Sequence, residues 1–465
     1  MAKLFVHPYI PNSAPDVKEA MLKEIGAKSV EELFEGVPKE RMLKRRLNLP
    51  KPASEFQVRR IVEGMLAKNK SCNTELLSFL GAGCWPHYVP AVCDEINGRS
   101  EFVTAYDVGE TYSDLGRFQA LFEFQSMIGE LLDMDVVSVA MYDWASVGGE
   151  AARMASRVTG RYEILVPKTI CPERLSTMQN YCERLAEVKL FGYDRKTGEL
   201  DLNDLKNRIS SKTAAVYFEN PSYLGLIEPQ GEEVAKIAHE HGALSIVGVE
   251  PTSLGILAPP GEYGADIVVG EGQPLGVHMN YGGGVLGILA CRDEERLVSE
   301  MPSLLLTIAK GQGEGEYGFT WYTLPERVHY FEREKGKSFT GSSAVLWGIT
   351  AAVYMALMGP QGMRELGEAI MLKSHYAMKR LSEIGGLKVP VFDATHFEEF
   401  TVDFNGTGKT VPEINKALLR RGIQGGKDIT KEFPELGKSA LYCVTEVHTQ
   451  ADIDRLSDAL QEVVR

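Results

Sequence analysis

Between Lys236 and Lys310 the chain contains no lysine. That gap covers "ADIVVGEGQPLGVHMNYGGG", residues 265–284, which reads as a buried strand, a loop and a glycine cluster. Chemistry that needs an imine-forming amine after this strand is therefore excluded from the chain on its own. Metal ligands are scarce too. The seven cysteines (72, 84, 93, 171, 182, 291 and 443) include no CxxC pair, and the histidines do not gather around them. No zinc centre or other metal is expected. Scattered single thiols fit a reducing compartment, and a cytoplasmic location is expected. The opening "MAKLFVHPYIPNSAPD" has no apolar run of the length a signal peptide needs. The longest uncharged apolar run, "AVLWGITAAVYMALM", spans 344–358. It is too short to cross a bilayer and predicts a buried core helix. Positive charge is in deficit, with 50 Lys and Arg against 64 Asp and Glu and a net charge of −14. Neither nucleic acid nor an anionic membrane is expected as a main partner. No internal repeat or low-complexity segment is evident.

What is present suits a large folded protein. The 465 residues are 44% hydrophobic and 25% charged, enough for a sizeable core and two or three domains. Residues 1–70 read as short charged helices, with Ser13 as a cap and a Ser29–Glu32 capping box. They form a helical N-terminal arm rather than an independent domain. Residues 71–335 alternate β-rich runs with helical patterns. The runs are "VVSVAMY" (136–142), "EILVP" (163–167), "AAVYFE" (214–219), "LSIVGVE" (244–250) and "ADIVVG" (265–270), with one more strand in "GGGVLGILACR". The alternation predicts an α/β fold, with a mostly parallel central sheet covered by helices on both faces. Residues 336–465 predict a smaller α+β domain, with strands at "EEFTVDF" and "ALYCVTEV".

Each candidate site has a bland rival reading. In "MYDWASVGGEAARMA" (141–155) a strand ends and small residues open a helix. Ala145, Ser146 and Gly148 would let an anion such as phosphate approach the helix N-terminus; a close-packed helix start is the rival reading. Glu250 ends an apolar strand, so its carboxylate points toward the crevice where open α/β sheets bind ligands. His87 lies in the aromatic loop "FLGAGCWPHYVP" (79–90), placed to bind an anion or to serve structure. The stripe Phe118, Leu121, Phe122, Phe124, Gln125 and Ile128 reads as core or subunit interface. Ser338, Thr340, Ser342 and Ser343 precede a helix, as anion ligands or as caps. No Ser–His–Asp order or paired-carboxylate motif stands out.

Taken together, "YIPNSAPDVKEAMLKEIG", "FLGAGCWPHYVP", "QALFEFQSMIGELLDMDV", "MYDWAS", "VGVEPTSLGI", "GADIVVGEGQPLG" and "LYCVTEVHTQADIDRL" closely resemble the P-protein of the glycine cleavage system. More narrowly they resemble its amino-terminal half, which occurs as a separate subunit. The resemblance runs nearly end to end. It implies a fold-type I pyridoxal-phosphate (PLP) enzyme whose PLP is held covalently by the lysine-bearing partner, P-protein subunit 2. It further implies glycine decarboxylation, aminomethyl transfer to the lipoyl group of the H-protein, and an α2β2 heterotetramer. The isolated chain would be inactive and carry no catalytic residue. Departures from the family pattern cluster. "YDVGETY" (106–112) replaces "YTPYQPE", Cys171 stands for His, Ser222 for Asn and Glu250 for Asp. "REKGKSFTGSSA" (333–344) replaces "REKATSNICTNQ", and "YGGG" (281–284) replaces "FGGP". His87, Tyr106, Cys171, Ser222, Glu250, Ser338 and Thr340 are thus pocket or interface candidates, and Ala145, Ser146 and Gly148 mark a vestigial phosphate site. Other readings stay open: a structural or regulatory pseudoenzyme, a paralogous complex acting on a different small amino acid, or a homo-oligomer binding PLP non-covalently.

Overall fold

The computed structural model describes residues 6–45, 47–72, 74–103, 115–279, 286–322, 336–341 and 343–465. The strands of the central sheet are Val136–Val137 (β1), Glu163–Pro167 (β2), Glu187–Phe191 (β3), Thr213–Glu219 (β4), Leu244–Val249 (β5), Ile267–Glu271 (β6) and Gly287–Cys291 (β7), near-continuous apolar runs except for β3. They make one seven-stranded sheet in the order β1-β7-β6-β5-β4-β2-β3. β2 through β6 pair in parallel, and β7 runs antiparallel to β6 and β1.

Side-chain alternation explains why the strands read as unbroken apolar runs. Leu165, Val216, Val247 and Val268 join one core, while Ile164, Ala215, Ile246 and Ile267 join another. Neighbouring residues point to opposite faces, and helices bury both. The first core also holds Phe124, Ile128 and Leu132 of the Leu115–Leu132 helix, so most of the aromatic stripe is core. The second holds the helices Trp144–Thr159 and Pro172–Cys182, which pack on each other. Their contact needs a glycine. A Cβ on Gly149 would sit 2.7–3.1 Å from ring and Cβ atoms of Tyr181. Gly149→Ala should therefore destabilise the chain by about 1–2 kcal/mol, because overpacking outweighs the gain in helix propensity. Denaturant titration checks this; an unchanged midpoint would mean the helices part freely.

Three sequence expectations differ in detail. The expected strand at 136–142 is a ladder only at Val136–Val137, with a bridge from Met141 to Gly287. Between them Val139 N donates to Leu304 O, which draws the backbone away from β7. β3 was missed because it is a sheet edge with polar, half-exposed alternation. The antiparallel pair Leu305–Lys310 and Tyr317–Tyr322 was also missed, around a glycine-rich turn.

The apolar run 344–358 opens the helix Val345–Ser382, which breaks at Gly359 (φ 59°, ψ 178°) just before Pro360. That backbone region is open to glycine and closed to β-carbon residues. Its first half joins the first sheet core, through Ala351, Tyr354 and Met355. Its second half, through Ala377, Met378 and Leu381, joins a C-terminal core. There Glu399–Asp403, Ser439–Cys443 and Lys427–Asp428 form an antiparallel sheet beneath the helices Val411–Leu419 and Gln450–Val464. Leu77–Ser78 pairs in parallel with Ile423–Gln424, so the segment leading to His87 is tied to these late elements. Among the described residues no helix is long and apolar enough to cross a membrane.

By contact, Met1–Lys70 and Ser71–Arg465 are two compact units. The first contains the helices Pro15–Glu24 and Glu55–Leu66. Its caps differ from expectation. Ala14, not Ser13, caps the first helix, and Ser13 Oγ instead accepts from His7 N at 2.7 Å. Ser29 makes no side-chain cap, and Glu32 accepts from Lys28 N at 3.0 Å. The capping box forms at Ser54 and Gln57.

Candidate functional site

Glu219 ends β4, Glu250 follows β5 and Glu271 ends β6. Three carboxyl groups thus sit at the carboxyl ends of three adjacent parallel strands, where open α/β sheets bind ligands. All three are buried and engaged. Glu219 takes a bidentate grip from Arg174, with Nε at 2.7 Å and an η nitrogen at 2.9 Å. Tyr217 Oη donates to the same carboxylate at 2.9 Å, and Trp144 Nε1 donates to Tyr217 Oη at 3.1 Å. The Arg174 guanidinium lies 3.9 Å from the Trp144 ring centroid, a cation–π contact that closes the loop of four. Burial works against its charge, but Glu219, together with Cys171 and Tyr217, holds Arg174 above its ordinary value.

Glu250 caps the turn Pro251–Gly255. It accepts from Thr252 N at 2.9 Å, Thr252 Oγ1 at 2.7 Å and Ser253 N at 2.9 Å. Burial, then the neighbouring Glu398, push its carboxyl up. Glu271 accepts three backbone donors: Trp144 N at 3.2 Å, Gln273 N at 3.0 Å and Leu286 N at 3.2 Å. Burial pushes it up to about 8 against the pull of those donors.

The loop 79–90 is stitched over these groups by acceptors from distant parts of the chain. Glu399 accepts from Ala82 N at 2.5 Å, and Gln273 Oε1 from Trp85 N at 3.2 Å. Glu446 accepts from Tyr88 N at 2.7 Å and pairs with His87 Nδ1 at 2.8 Å. His87 Nε2 lies 3.6 Å from Glu398, with its side chain 1% exposed. Burial alone would lower the imidazole, yet Glu446 and Glu398 raise it from 6.5 to about 10. Burial likewise raises Glu446, but His87 holds it below the usual carboxylate range.

The remaining candidates fall into three groups. Ser222 and Glu250 line one small cavity together with Trp85, Trp144, Arg174 and Glu398. Cys171 starts the Pro172–Cys182 helix beside it, its Sγ 3.2 Å from Glu173, with burial pushing the thiol up to about 11. Ala145, Ser146 and Gly148 open the Trp144–Thr159 helix, where Ser146 N donates to Asp143 Oδ1 at 2.7 Å. Ser338 and Thr340 face elsewhere: Ser338 Oγ donates to Glu150 at 2.5 Å, and Thr340 N to Pro302 O at 2.6 Å. Tyr106, Ser342 and the glycine cluster 281–284 lie outside the described residues. Sequence reasoning missed Arg174, Glu219, Glu271, Glu398, Glu399 and Glu446. The strand-end rule that found Glu250 applies equally to Glu219 and Glu271.

Among the described residues, those lining this crevice do not fit PLP. The cavity is ≈ 10 Å³. That is room for about one water, whereas small-molecule sites run to about 300–1,000 Å³. No lysine follows β6 before Lys310. Lys427 does reach cavity-lining Tyr223, at 2.8 Å, but Glu432 at 3.0 Å and Glu173 at 3.3 Å hold it. Burial lowers that amine while the two carboxylates raise it, with a net rise that keeps it a cation. A protonated amine is not a nucleophile.

Sheet order, the single antiparallel strand β7 and the strand-end crevice define the class. The fold is that of fold-type I PLP-dependent enzymes. It is shared with sphingosine-1-phosphate lyase of Burkholderia pseudomallei, at TM-score 0.64 and 16% identity over 91% of this chain and 92% of that one. The likeness to a crystal structure of glycine decarboxylase (P-protein) of the glycine cleavage system, in inhibitor-bound form, is far tighter. There the TM-score is 0.85 and the identity 32%, covering 99% of this chain and 100% of that one. The family profile "Glycine cleavage system P-protein" matches residues 7–460, and the chain belongs to that family. Curated relatives are "Probable glycine dehydrogenase (decarboxylating) subunit 1" of Staphylothermus marinus, 42% identical over 98% of both chains. The protein of the same description from Pyrococcus horikoshii is 42% identical over 98% of this chain and 99% of its own.

Proposed function

We propose that this chain is the non-lysine subunit of a two-part glycine dehydrogenase (decarboxylating), supporting an active site carried by a lysine-bearing partner. The observation that carries this reading is full-length likeness to subunit 1 proteins, joined to a strand-end crevice that its own side chains occupy. The same likeness favours an enzyme component over a pseudoenzyme. When bound by the partner, PLP supplies the electron sink for the carbanion left as CO2 departs. The aminomethyl group passes to the lipoyl arm of an H-protein, and the subunits assemble as α2β2 in the cytoplasm. Segments 79–90, 106–116 and 333–343 complete the pocket and guide the lipoyl arm. His87 anchors the first of these from within, and Tyr106 and Ser338 belong to the other two. Thr340 lies with Ser338 in the third segment, and Cys171, Ser222 and Glu250 set the shape of the chain behind all three.

Mixing this chain with its subunit 2, PLP and lipoylated H-protein should give glycine-dependent exchange of CO2 that neither subunit gives alone. Exchange with another small amino acid, and none with glycine, would transfer the reading to a paralogous complex. No stimulation of subunit 2 by this chain with any amino acid would overturn it.

A further inference from the structure

We propose that the crevice of this chain is a cofactor site filled from within: the Glu271 carboxyl group holds the anion position at the start of the Trp144–Thr159 helix, and the Arg174–Glu219 pair on Trp144 holds the ring position. A helix start following a strand offers free N–H groups and the positive end of the helix dipole. Here the first and third of those donors are taken by the chain itself. Trp144 N, the first in the helix, donates to Glu271, and Ser146 N donates to Asp143. Among the described residues every polar partner of Glu271 is a backbone donor, and donors from three segments converge on it as they would on a bound anion.

The second half of the substitution is flat and aromatic. Guanidinium is planar and stacks on ring faces. Arg174 covers the face of Trp144 at 3.9 Å and is fixed in its plane by the two oxygens of Glu219. Glu250, at the third strand end, spends both oxygens on Thr252 and Ser253. Phosphate-like, ring-like and strand-end acid positions are all occupied, and what remains is ≈ 10 Å³. The consequence reaches the loop above. Gln273, whose N–H is held by Glu271, accepts from Trp85 N, so the internal carboxyl group also fixes loop 79–90. The missing lysine is thus one part of a general replacement of ligand by side chain.

The inference deepens the reading that PLP resides on the partner, and the test separates the two. The full-length chain is titrated with PLP and, separately, with inorganic phosphate. The readouts are PLP absorbance retained after dialysis and the shift of the thermal midpoint. Wild type should retain no PLP and show no saturable phosphate shift. Glu271→Ala should gain a saturable rise of midpoint with phosphate, since a ligand that binds only the folded state stabilises it. Arg174→Ala with Glu219→Ala, added to Glu271→Ala, should gain retained PLP. Retained PLP or a phosphate shift in wild type overturns the inference, as does a folded Glu271→Ala chain that ignores phosphate. If the variants do not fold, the wild-type titration and the PLP content of the assembled enzyme decide. One PLP per pair of subunits supports a filled site; two overturn it. Failure of exchange with every amino acid, together with an unresponsive wild-type chain, would sink the functional reading and leave this one standing.

Discussion

Arg174→Ala should cost the folded chain about 3–5 kcal/mol, the usual loss when one partner of a buried ion pair is removed. Arg174 is 6% exposed and Glu219 3%, so the abandoned carboxylate could not turn to water. Tyr217 would remain its one donor among the contacts described above, and Trp144 would lose the cation on its ring face. Arg174→Lys should rescue little, because an ammonium cannot reproduce two parallel bonds and a stacked plane. Removing both charges together, as Arg174→Met with Glu219→Leu, should cost less than either single change, since no charge is left alone. Urea titrations of wild type, Arg174→Met, Glu219→Leu and the double variant check this as a double-mutant cycle. Additive losses would mean that the two groups do not depend on each other.

His87→Ala should produce a second large loss, again about 3–5 kcal/mol, because it strips a buried cation from Glu446 and Glu398. The pH dependence has a definite sign. The folded chain raises His87 from 6.5 to about 10. The stabilisation this brings is complete below pH 6.5 and is lost as pH climbs toward 10. Glu271, raised to about 8, acts in the same direction, because ionising it in the interior is costly. Wild type should therefore lose stability steadily on the alkaline side. His87→Ala should be weaker at neutral pH and decline less steeply, since only the carboxyl contribution remains. Thermal midpoints from pH 6 to 10 decide this. Parallel curves would show that His87 is neutral in the folded chain. In the assembled enzyme the same change should also lower turnover, because His87, Glu446 and Tyr88 N hold one end of loop 79–90.

The stability effects and the site share one origin, a set of carboxyl groups brought together under a loop. Only part of that set can be read from the chain. Glu250 was legible because it closes an apolar strand, and position at a strand end is a local property. Glu219 and Glu271 carry the same signal, at the ends of "AAVYFE" and "IVVGE". Arg174 carried none. It sits in an ordinary amphipathic helix and looks like one more solvated charge. Its role depends on Trp144 and Glu219, one on each side of it along the chain. The packing role of Gly149 is visible only with Tyr181, on the next helix, beside it.

Sequence by itself determined the alternation of strands and helices, the burial of the sheet on both faces and the absence of an amine after β6. Each of these is set by residue types within a few positions of one another, and backbone periodicity translates them directly into faces. The tertiary structure alone decided that the crevice is closed. His87 meets Glu446 across 359 residues of chain, and Trp144 meets Glu271 across 127. Such pairings follow from strand order and from how helices settle on the sheet, and no local pattern encodes them. A buried charge is stable only beside its partner, so the fold had to supply each of these groups with one.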